Sequence, residues 1–435
     1  MATPHVKVVF EVMMCGVKTQ TTMSFDTIEN VLQYIGQSTP LPSIIGLDLP
    51  MTPQDFLDID RYLCTSKGTL RELRLDMDVP VPGQYPCHRR QPVNAHSYPA
   101  LVSLSVHGFV PTTLDSSFIH LTHLTLGDVY SQTPPLWRDQ FLDAMKTWTS
   151  LKVLEIEEYN IMIQVPESSR LVTLPRLEIL KIKDSPHWAS CILPCLDLPG
   201  LRQLHTHRTF ADLPWGGNML FWVPPLGNAV TRLLHMIKGV QVEVAQDVYQ
   251  PTTISTTGPD DRRVVLTASV MAPMTRWHQW QLEVLPSIML AMANVFPQAA
   301  TFNITGDFAT MGKKTWTGFL KTYPELLELH IRDVGHRDGR PLFLALNQSE
   351  LGPDDRVLCP SLKYISMYGV AQSRELLQEM HNALLCRSDH NLVLDHLDLY
   401  PQILAEPDSD DLLEELRSDI EDAVAVFEYK ALNSY

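Results

Sequence analysis

A hydrophobic triplet recurs along the chain: an apolar residue, two variable positions, Leu, one polar residue, then a second apolar residue. In the first half its starts are separated by 31, 20, 30, 26 and 24 residues. This average spacing of about 26 residues is typical of a repeat protein in which each unit supplies one short strand. The six instances, the last of them degenerate, are Leu70/Leu73/Leu75, Leu101/Leu104/Val106, Leu121/Leu124/Leu126, Leu151/Leu154/Ile156, Leu177/Leu180/Ile182 and Leu201/Leu204/Thr206.

A second run of triplets follows with looser spacings of 27, 36 and 32 residues. Its members are Ala299/Phe302/Ile304, Leu326/Leu329/Ile331, Leu362/Ile365/Met367 and Leu394/Leu397/Leu399. In the interval between the two runs, the alternation in 240–244 and 264–266 predicts strands, and up to three irregular repeats fit there. The polar segments Pro82–Pro92 and Pro251–Asp261 show no hydrophobic periodicity, so both are predicted to be surface loops.

Apolar residues at helical spacing precede several triplets, and Ser373 stands where a helix N-cap is expected. Repeated helix and strand predict a parallel sheet with crossover helices. Because one unit cannot bury its apolar face alone, residues 1–404 are predicted to form an irregular α/β leucine-rich-repeat solenoid. The curved parallel β-sheet would carry its helices on the convex side. The helical positions are Phe56, Ile59 and Leu63; Phe141, Met145 and Trp148; Leu285, Met289, Met292 and Phe296; and Leu376, Leu377, Met380 and Leu384.

Residues 405–435 form a separate acidic segment. From Glu406 onward the sequence contains ten acidic residues but only two basic residues, Arg417 and Lys430, so the net charge of this segment is −8. One helical face collects the apolar positions, which predicts an amphipathic helix that caps the last repeat. A helix that docks on another protein is the alternative. The apolar positions are Leu412, Leu416, Ile420, Ala423 and Phe427.

Composition and charge indicate which classes of partner and which cellular compartment to expect. The chain of 435 residues is 45% hydrophobic and has a net charge of −16, so we expect a folded protein that binds neither nucleic acid nor membrane. Seven scattered cysteines do not form a disulfide scaffold, and the N-terminal alternation around Val8 is not that of a signal peptide. The longest apolar run, 288–296, is too short to span a membrane. A cytoplasmic or nuclear location is therefore predicted.

Two groups of residues resemble a phosphate-binding loop and a zinc site only superficially. The Gly-Lys-Lys-Thr stretch that begins at Gly312 lacks the spacing of a phosphate-binding loop. The possible zinc ligands Cys191, Cys195, His205 and His207 lie close in sequence, but the two cysteines stand among apolar residues and are interpreted as core residues. No catalytic motif occurs. We therefore expect no enzyme activity, no cofactor and no metal.

Three segments carry a resemblance to a known family. Residues 174–184 read LPRLEILKIKD, residues 197–205 read DLPGLRQLH, and residues 31–47 read VLQYIGQSTPLPSIIGL. They resemble the leucine-rich-repeat region of fungal, basidiomycete-type F-box proteins, and the likeness spans roughly 27–400. The resemblance implies substrate recognition within a cullin-type ubiquitin ligase, whose F-box binds the adaptor subunit while the repeats bind the target.

No F-box is seen before Val6, so adaptor binding is expected only if an F-box lies upstream. The alternatives are a stand-alone leucine-rich-repeat binding protein and an enzyme of unrecognised type. A binding protein would hold its unknown protein target on the concave face, where the polar residues of each triplet point away from the core. The predicted partner-binding residues are Arg74, Asp76, His107, Glu155, Glu157, Lys181, Lys183, His205, His207, His330, Arg332, Tyr368 and Tyr400.

Simple ion pairing across adjacent strands is the other interpretation of the charged residues among them. In that case Glu155 and Glu157 pair with Lys181 and Lys183 in solvent and contribute little to stability.

Overall fold

The computed structural model describes most of the chain. The chain divides into two compact units. Unit 1 comprises Met1–Leu204 with Pro225–Val230, and unit 2 comprises His205–Pro224 with Thr231–Tyr435. Both have a mixed α/β fold with a mostly parallel sheet. The described residues are 6–14, 17–27, 30–31, 33–34, 43–51, 68–77, 98–107, 119–127, 138–157, 171–183, 192–210, 228–245, 250–270, 274–347, 357–402, 409–430 and 432.

The sheet of unit 1 is parallel from the third strand onward. Strands β3 to β7 and β9 pair in chain order, while β1 pairs antiparallel with both β2 and β3. A separate two-stranded sheet joins β8 to β10. The strands are β1 (Val6–Met14), β2 (Val17–Phe25), β3 (Ser43–Met51), β4 (Glu72–Met77), β5 (Ser103–His107), β6 (His123–Gly127), β7 (Val153–Glu157), β8 (Val172–Thr173), β9 (Ile179–Lys183), β10 (Leu196–Asp197) and β11 (Gln203–Phe210).

The triplets form the core, as predicted. All thirty of their positions are buried, including the degenerate Thr206, which is 2% exposed. The middle Leu residues occupy equivalent places, because successive members are directly opposite one another in the parallel pairing. In unit 1 these register partners are Leu73, Leu104, Leu124, Leu154 and Leu180.

A tight turn precedes seven of the triplets. The first triplet residue donates its N–H to the carbonyl three residues earlier, as Leu177 does to Leu174 at 3.3 Å. The acceptor residue is buried each time, and Pro follows it in six of the seven cases, which suits the second position of a type I turn. The repeat is thus longer than the triplet, and its turns contain six of the 32 prolines of the chain. The acceptors are Tyr98, Trp148, Leu174, Leu198, Phe296, Tyr323 and Cys359.

Unit 2 has a sheet that is antiparallel at one side and parallel at the other. Strand β13 pairs antiparallel with β12 and β14. From β12 the sheet continues in parallel through β15, β16, β17, β18 and β19. The strands are β12 (Gly239–Glu243), β13 (Thr252–Thr257), β14 (Arg263–Val270), β15 (Thr301–Gly306), β16 (Glu328–Asp333), β17 (Tyr364–Ala371), β18 (His396–Gln402) and β19 (Phe427–Tyr429).

Helices alternate with these strands, and Ser373 caps one of them as predicted, because its hydroxyl accepts the Leu376 N–H at 3.1 Å. Within the described ranges, no helix combines the length and the apolar character that crossing a membrane requires. The helices are α1 (Arg138–Met145), α2 (Asn228–His235), α3 (Met274–Val295), α4 (Lys313–Thr322), α5 (Arg340–Leu346), α6 (Arg374–Asp389) and α7 (Ser409–Ala423).

Two predictions of local structure were wrong. Most of Pro251–Asp261 is not a loop, because Thr252–Thr257 forms strand β13 between β12 and β14. The interval between the two runs of triplets therefore contains an antiparallel hairpin in addition to β12. Phe427 does not continue the C-terminal helix but begins strand β19. The predicted loop 82–92 and the predicted helical positions 56–63 lie outside the described residues.

Helix α7 packs against α6 in unit 2. Its buried positions are Leu413, Leu416, Ile420 and Ala423. The side chain of Leu412, which the predicted stripe included, lies outside the described part of the chain. The amphipathic helix is therefore present, with an apolar face on a neighbouring helix.

Candidate functional site

Polar side chains form rows on one face of each sheet. In β5 and β7 buried and partly exposed positions alternate, so the residue between two triplet positions points away from the core. Parallel pairing without a shift of register aligns these residues from strand to strand. The rows were predicted from the repeat alone, and the pairing of the strands confirms their alignment in unit 1.

Two such rows cross unit 1. In the first, Glu155 stands opposite Lys181, and their charged atoms lie 2.5 Å apart. In the second, Glu157 stands opposite Lys183 at 3.7 Å. The lysine side chains are each 46% exposed, so each pair contributes only about 0 to 1 kcal/mol of stability. The predicted ion pairs across adjacent strands are therefore present. Their charged groups are still exposed enough for a partner to contact them.

A groove of about 560 Å³ lies over the rows of unit 1. Four carboxylates but only two cationic side chains line it, which makes its charge predominantly acidic. Of the predicted residues of this unit, Arg74, His107, Glu155 and Glu157 line the groove, whereas Asp76, Lys181 and Lys183 do not. The full lining is Lys7, Val9, Thr22, Gly46, Leu47, Asp48, Glu72, Leu73, Arg74, Ser103, Ser105, His107, Thr125, Glu155 and Glu157.

Gly127 makes room for His107 in the second row. The two residues are register partners on β5 and β6. A Cβ atom at position 127 would lie 2.4 Å from the His107 Nδ1 atom, closer than any real contact. The glycine therefore allows the imidazole to lie across β6.

The N-terminal hairpin contributes a part of the groove that was not predicted from the sequence. Lys7, Val9 and Thr22 belong to β1 and β2, and β1 pairs antiparallel with β3. Alternation showed that β1 is a strand, but no triplet marks its pairing partner. Asp48, which lies 3.7 Å from the Arg74 Nε atom, was missed because β3 precedes the first triplet.

In unit 2, three predicted residues come together across adjacent strands. Arg332, Tyr368 and Tyr400 are successive register partners on β16, β17 and β18. The guanidinium carbon of Arg332 lies 5.2 Å from the centre of the Tyr368 ring, within cation–π distance. The Tyr368 and Tyr400 ring centres are 6.0 Å apart. These side chains form an aromatic and cationic patch, of which Tyr368 is 41% exposed.

A second aromatic row runs beside this patch. The ring centres of His330 and Tyr364 are 4.8 Å apart, and those of Tyr364 and His396 are 5.0 Å apart. The Tyr364 hydroxyl donates a hydrogen bond to Oδ2 of Asp398. Burial, together with that hydrogen bond, raises the pKa of Tyr364 to about 12. Tyr364, His396 and Asp398 were not predicted, although Asp398 occupies the outward position between Leu397 and Leu399.

The two remaining predicted residues, His205 and His207, lie on β11. Nε2 of His207 is 3.3 Å from the Ser269 hydroxyl on β14. Cys195 is buried and has a free thiol, whereas Cys191 lies outside the described residues. The four possible zinc ligands of the sequence are therefore not shown to form one site.

Comparison of the chain with protein-family models and with curated proteins finds no match in either.

Proposed function

We propose that this chain is a protein-interaction scaffold of the leucine-rich-repeat type, similar to the substrate-recognition part of an F-box subunit of a cullin-type ubiquitin ligase. The observation that carries the proposal is the acidic groove of unit 1, which lies over charged side chains aligned by strand register. A solenoid with a curved sheet and helices on its convex side is part of this proposal. So is a cytoplasmic or nuclear location.

The charge of the groove indicates what kind of partner segment it would hold. Asp48, Glu72, Glu155 and Glu157 supply the carboxylates, and Arg74 and Lys7 the cations. A polar chain segment with a net positive charge complements this surface, and complementary charge fixes the orientation of a partner more than it adds affinity. Eleven of the fifteen residues that line the groove have charged or polar side chains, which suits a polar protein segment better than a small apolar molecule.

The test is a charge reversal at the edge of this surface. After affinity capture and mass spectrometry have identified a partner, its Kd is measured with the purified chain and with the double variant Lys181→Glu/Lys183→Glu. Because the substitutions add negative charge beside the acidic groove and free Glu155 and Glu157 from their ion pairs, we expect a cationic partner segment to bind the variant at least about tenfold more tightly, equal to about 1.4 kcal/mol. The melting temperature should hardly change, because both lysines are exposed.

The matched control is Lys146→Glu/Lys152→Glu, which makes the same change of charge at exposed positions outside the rows. It should bind the partner with nearly unchanged Kd. Equal affinities for the two double variants would exclude the polar face of unit 1 as the binding surface. Capture of a ligase adaptor subunit and a cullin supports the ligase role, and capture of a target without them supports the stand-alone alternative.

A further inference from the structure

Three potential metal ligands meet on the last two strands of unit 2. His396 and Asp398 lie two residues apart on β18, and Asp398 is the register partner of Glu428 on β19. One donor atom from each residue lies within 4.8 Å of the other two. Donors to a zinc-like ion lie about 2.0 to 2.2 Å from the metal, so they are at most about 4.4 Å apart. A small movement of the exposed Glu428 side chain would bring the three donor atoms within this shorter distance of one another.

The buried carboxylate of Asp398 is incompletely satisfied. Its side chain is only 9% exposed, and its Oδ1 atom has no hydrogen-bond partner among the residues that the structure describes. Nε2 of His396 lies 2.8 Å from that oxygen, but the alignment is not that of a hydrogen bond. Leaving a buried carboxylate oxygen without a hydrogen bond is costly, and here a second carboxylate stands opposite it. A bound cation would satisfy both groups.

The outer contacts of the cluster are those that orient metal ligands. The Tyr364 hydroxyl donates to Oδ2 of Asp398, which leaves Oδ1 directed at the cluster. The Tyr400 hydroxyl donates to Oε2 of Glu428 at 3.2 Å. Hydrogen bonds of this kind fix ligating carboxylates, and their loss typically weakens metal binding about 10- to 100-fold.

We propose that His396, Asp398 and Glu428 bind one divalent transition-metal ion, with Zn²⁺ as the representative. The imidazole favours zinc and its neighbours over calcium or magnesium, which prefer ligand sets of oxygen alone. Three protein ligands leave a coordination position open for water or for a side chain of a bound partner. The ion would also join β18 to β19, the last strand of the sheet.

The experiment is a titration of the full chain with Zn²⁺ by isothermal calorimetry, after its accessible thiols have been alkylated. We expect one site per chain. The variants His396→Gln, Asp398→Asn and Glu428→Gln should each weaken that site at least about tenfold, and Tyr364→Phe should weaken it about tenfold. Zn²⁺ should also raise the melting temperature of the unmodified sequence more than that of the three ligand variants.

His330→Gln is the matched control, because His330 lies in the same aromatic row but outside the cluster. Its Zn²⁺ affinity should be unchanged. Glu428 is exposed, so Glu428→Gln keeps the test valid if a substitution at the buried Asp398 impairs folding, and circular dichroism checks the fold of each variant. Absence of Zn²⁺ binding, or equal affinity in the original chain and all ligand variants, would overturn the proposal.

Discussion

At the scale of the residue, Gly369 shows how one backbone position depends on the absence of a side chain. Its φ angle is +82°, in the left-handed region, and a Cβ atom there would lie 2.3 Å from the Asp333 carbonyl oxygen. Gly369→Ala should therefore lower the free energy of unfolding by at least about 1 to 3 kcal/mol, measured by denaturant titration.

Gly318 provides the comparison for this substitution. It lies inside α4, where an added Cβ would make an ordinary contact of 3.6 Å with Leu290. Gly318→Ala should raise the free energy of unfolding by about 0.5 to 1 kcal/mol, because alanine favours the helix. Effects of the same sign at both positions would contradict the role given to Gly369.

The thiol of Cys359 is predicted to be inert. It is 1% exposed, and its Sγ atom lies 3.2 Å and 3.1 Å from the carbonyl oxygens of Leu320 and Tyr323. Burial raises the pKa of Cys359 from 9.0 to about 12, so almost no thiolate forms at pH 8. In the native protein, iodoacetamide should alkylate Cys359 at least about a hundredfold more slowly than the partly exposed Cys386, as followed by peptide mass spectrometry.

The same pKa gives the sign of a dependence of stability on pH. Between pH 9 and about pH 12 the thiol ionises in the unfolded chain but not in the folded one. The unfolded state is then favoured, so the contribution of Cys359 to stability is constant below pH 9 and is lost as the pH rises through this range. Alkylation of Cys359 and Cys386 at similar rates in the native protein would contradict its burial.

At the scale of the element, helix α7 should stabilise unit 2 through its apolar face. Ile420 is fully buried, whereas the neighbouring Glu421 is exposed. Ile420→Ala should lower the free energy of unfolding by about 2 to 5 kcal/mol, as is usual for a truncated core side chain. Glu421→Ala should change it by less than about 0.5 kcal/mol. If both variants melt like the original chain, α7 does not contribute to the core.

Strands marked by a triplet could be predicted from the sequence, whereas β13 could not. Its segment TTISTT contains one large apolar residue, yet Thr252 and Thr256 are buried. Their hydroxyls accept the backbone N–H groups of Ala245 at 3.1 Å and Val264 at 2.8 Å. Threonine can therefore occupy core positions when neighbouring strands supply donors, and hydrophobic periodicity cannot detect this before the pairing is known.

At the scale of the whole molecule, repetition determined which parts of the candidate site could be predicted. Glu155 and Lys181 were placed in one row because each triplet supplies one strand in the same register. The hairpin residue Lys7 and the ligand candidate Glu428 lie on strands outside the triplets, so only the paired structure brings them to their sites. The division into two units was not predicted either, since similar triplets occur in both.

These two units lead to a prediction about how the chain unfolds. Leu154 in unit 1 and Leu329 in unit 2 are both fully buried, and replacing either by Ala should cost about 2 to 5 kcal/mol. Chains with more than one compact unit often open one unit at a time. Measured by hydrogen exchange and mass spectrometry, Leu154→Ala should accelerate exchange in β5 to β7 and β9 much more than in β15 to β18, and Leu329→Ala should do the reverse. Lys152→Ala, at an exposed position of unit 1, should change neither region. Uniform acceleration of all these strands by either Leu variant would mean that the chain unfolds as one cooperative body.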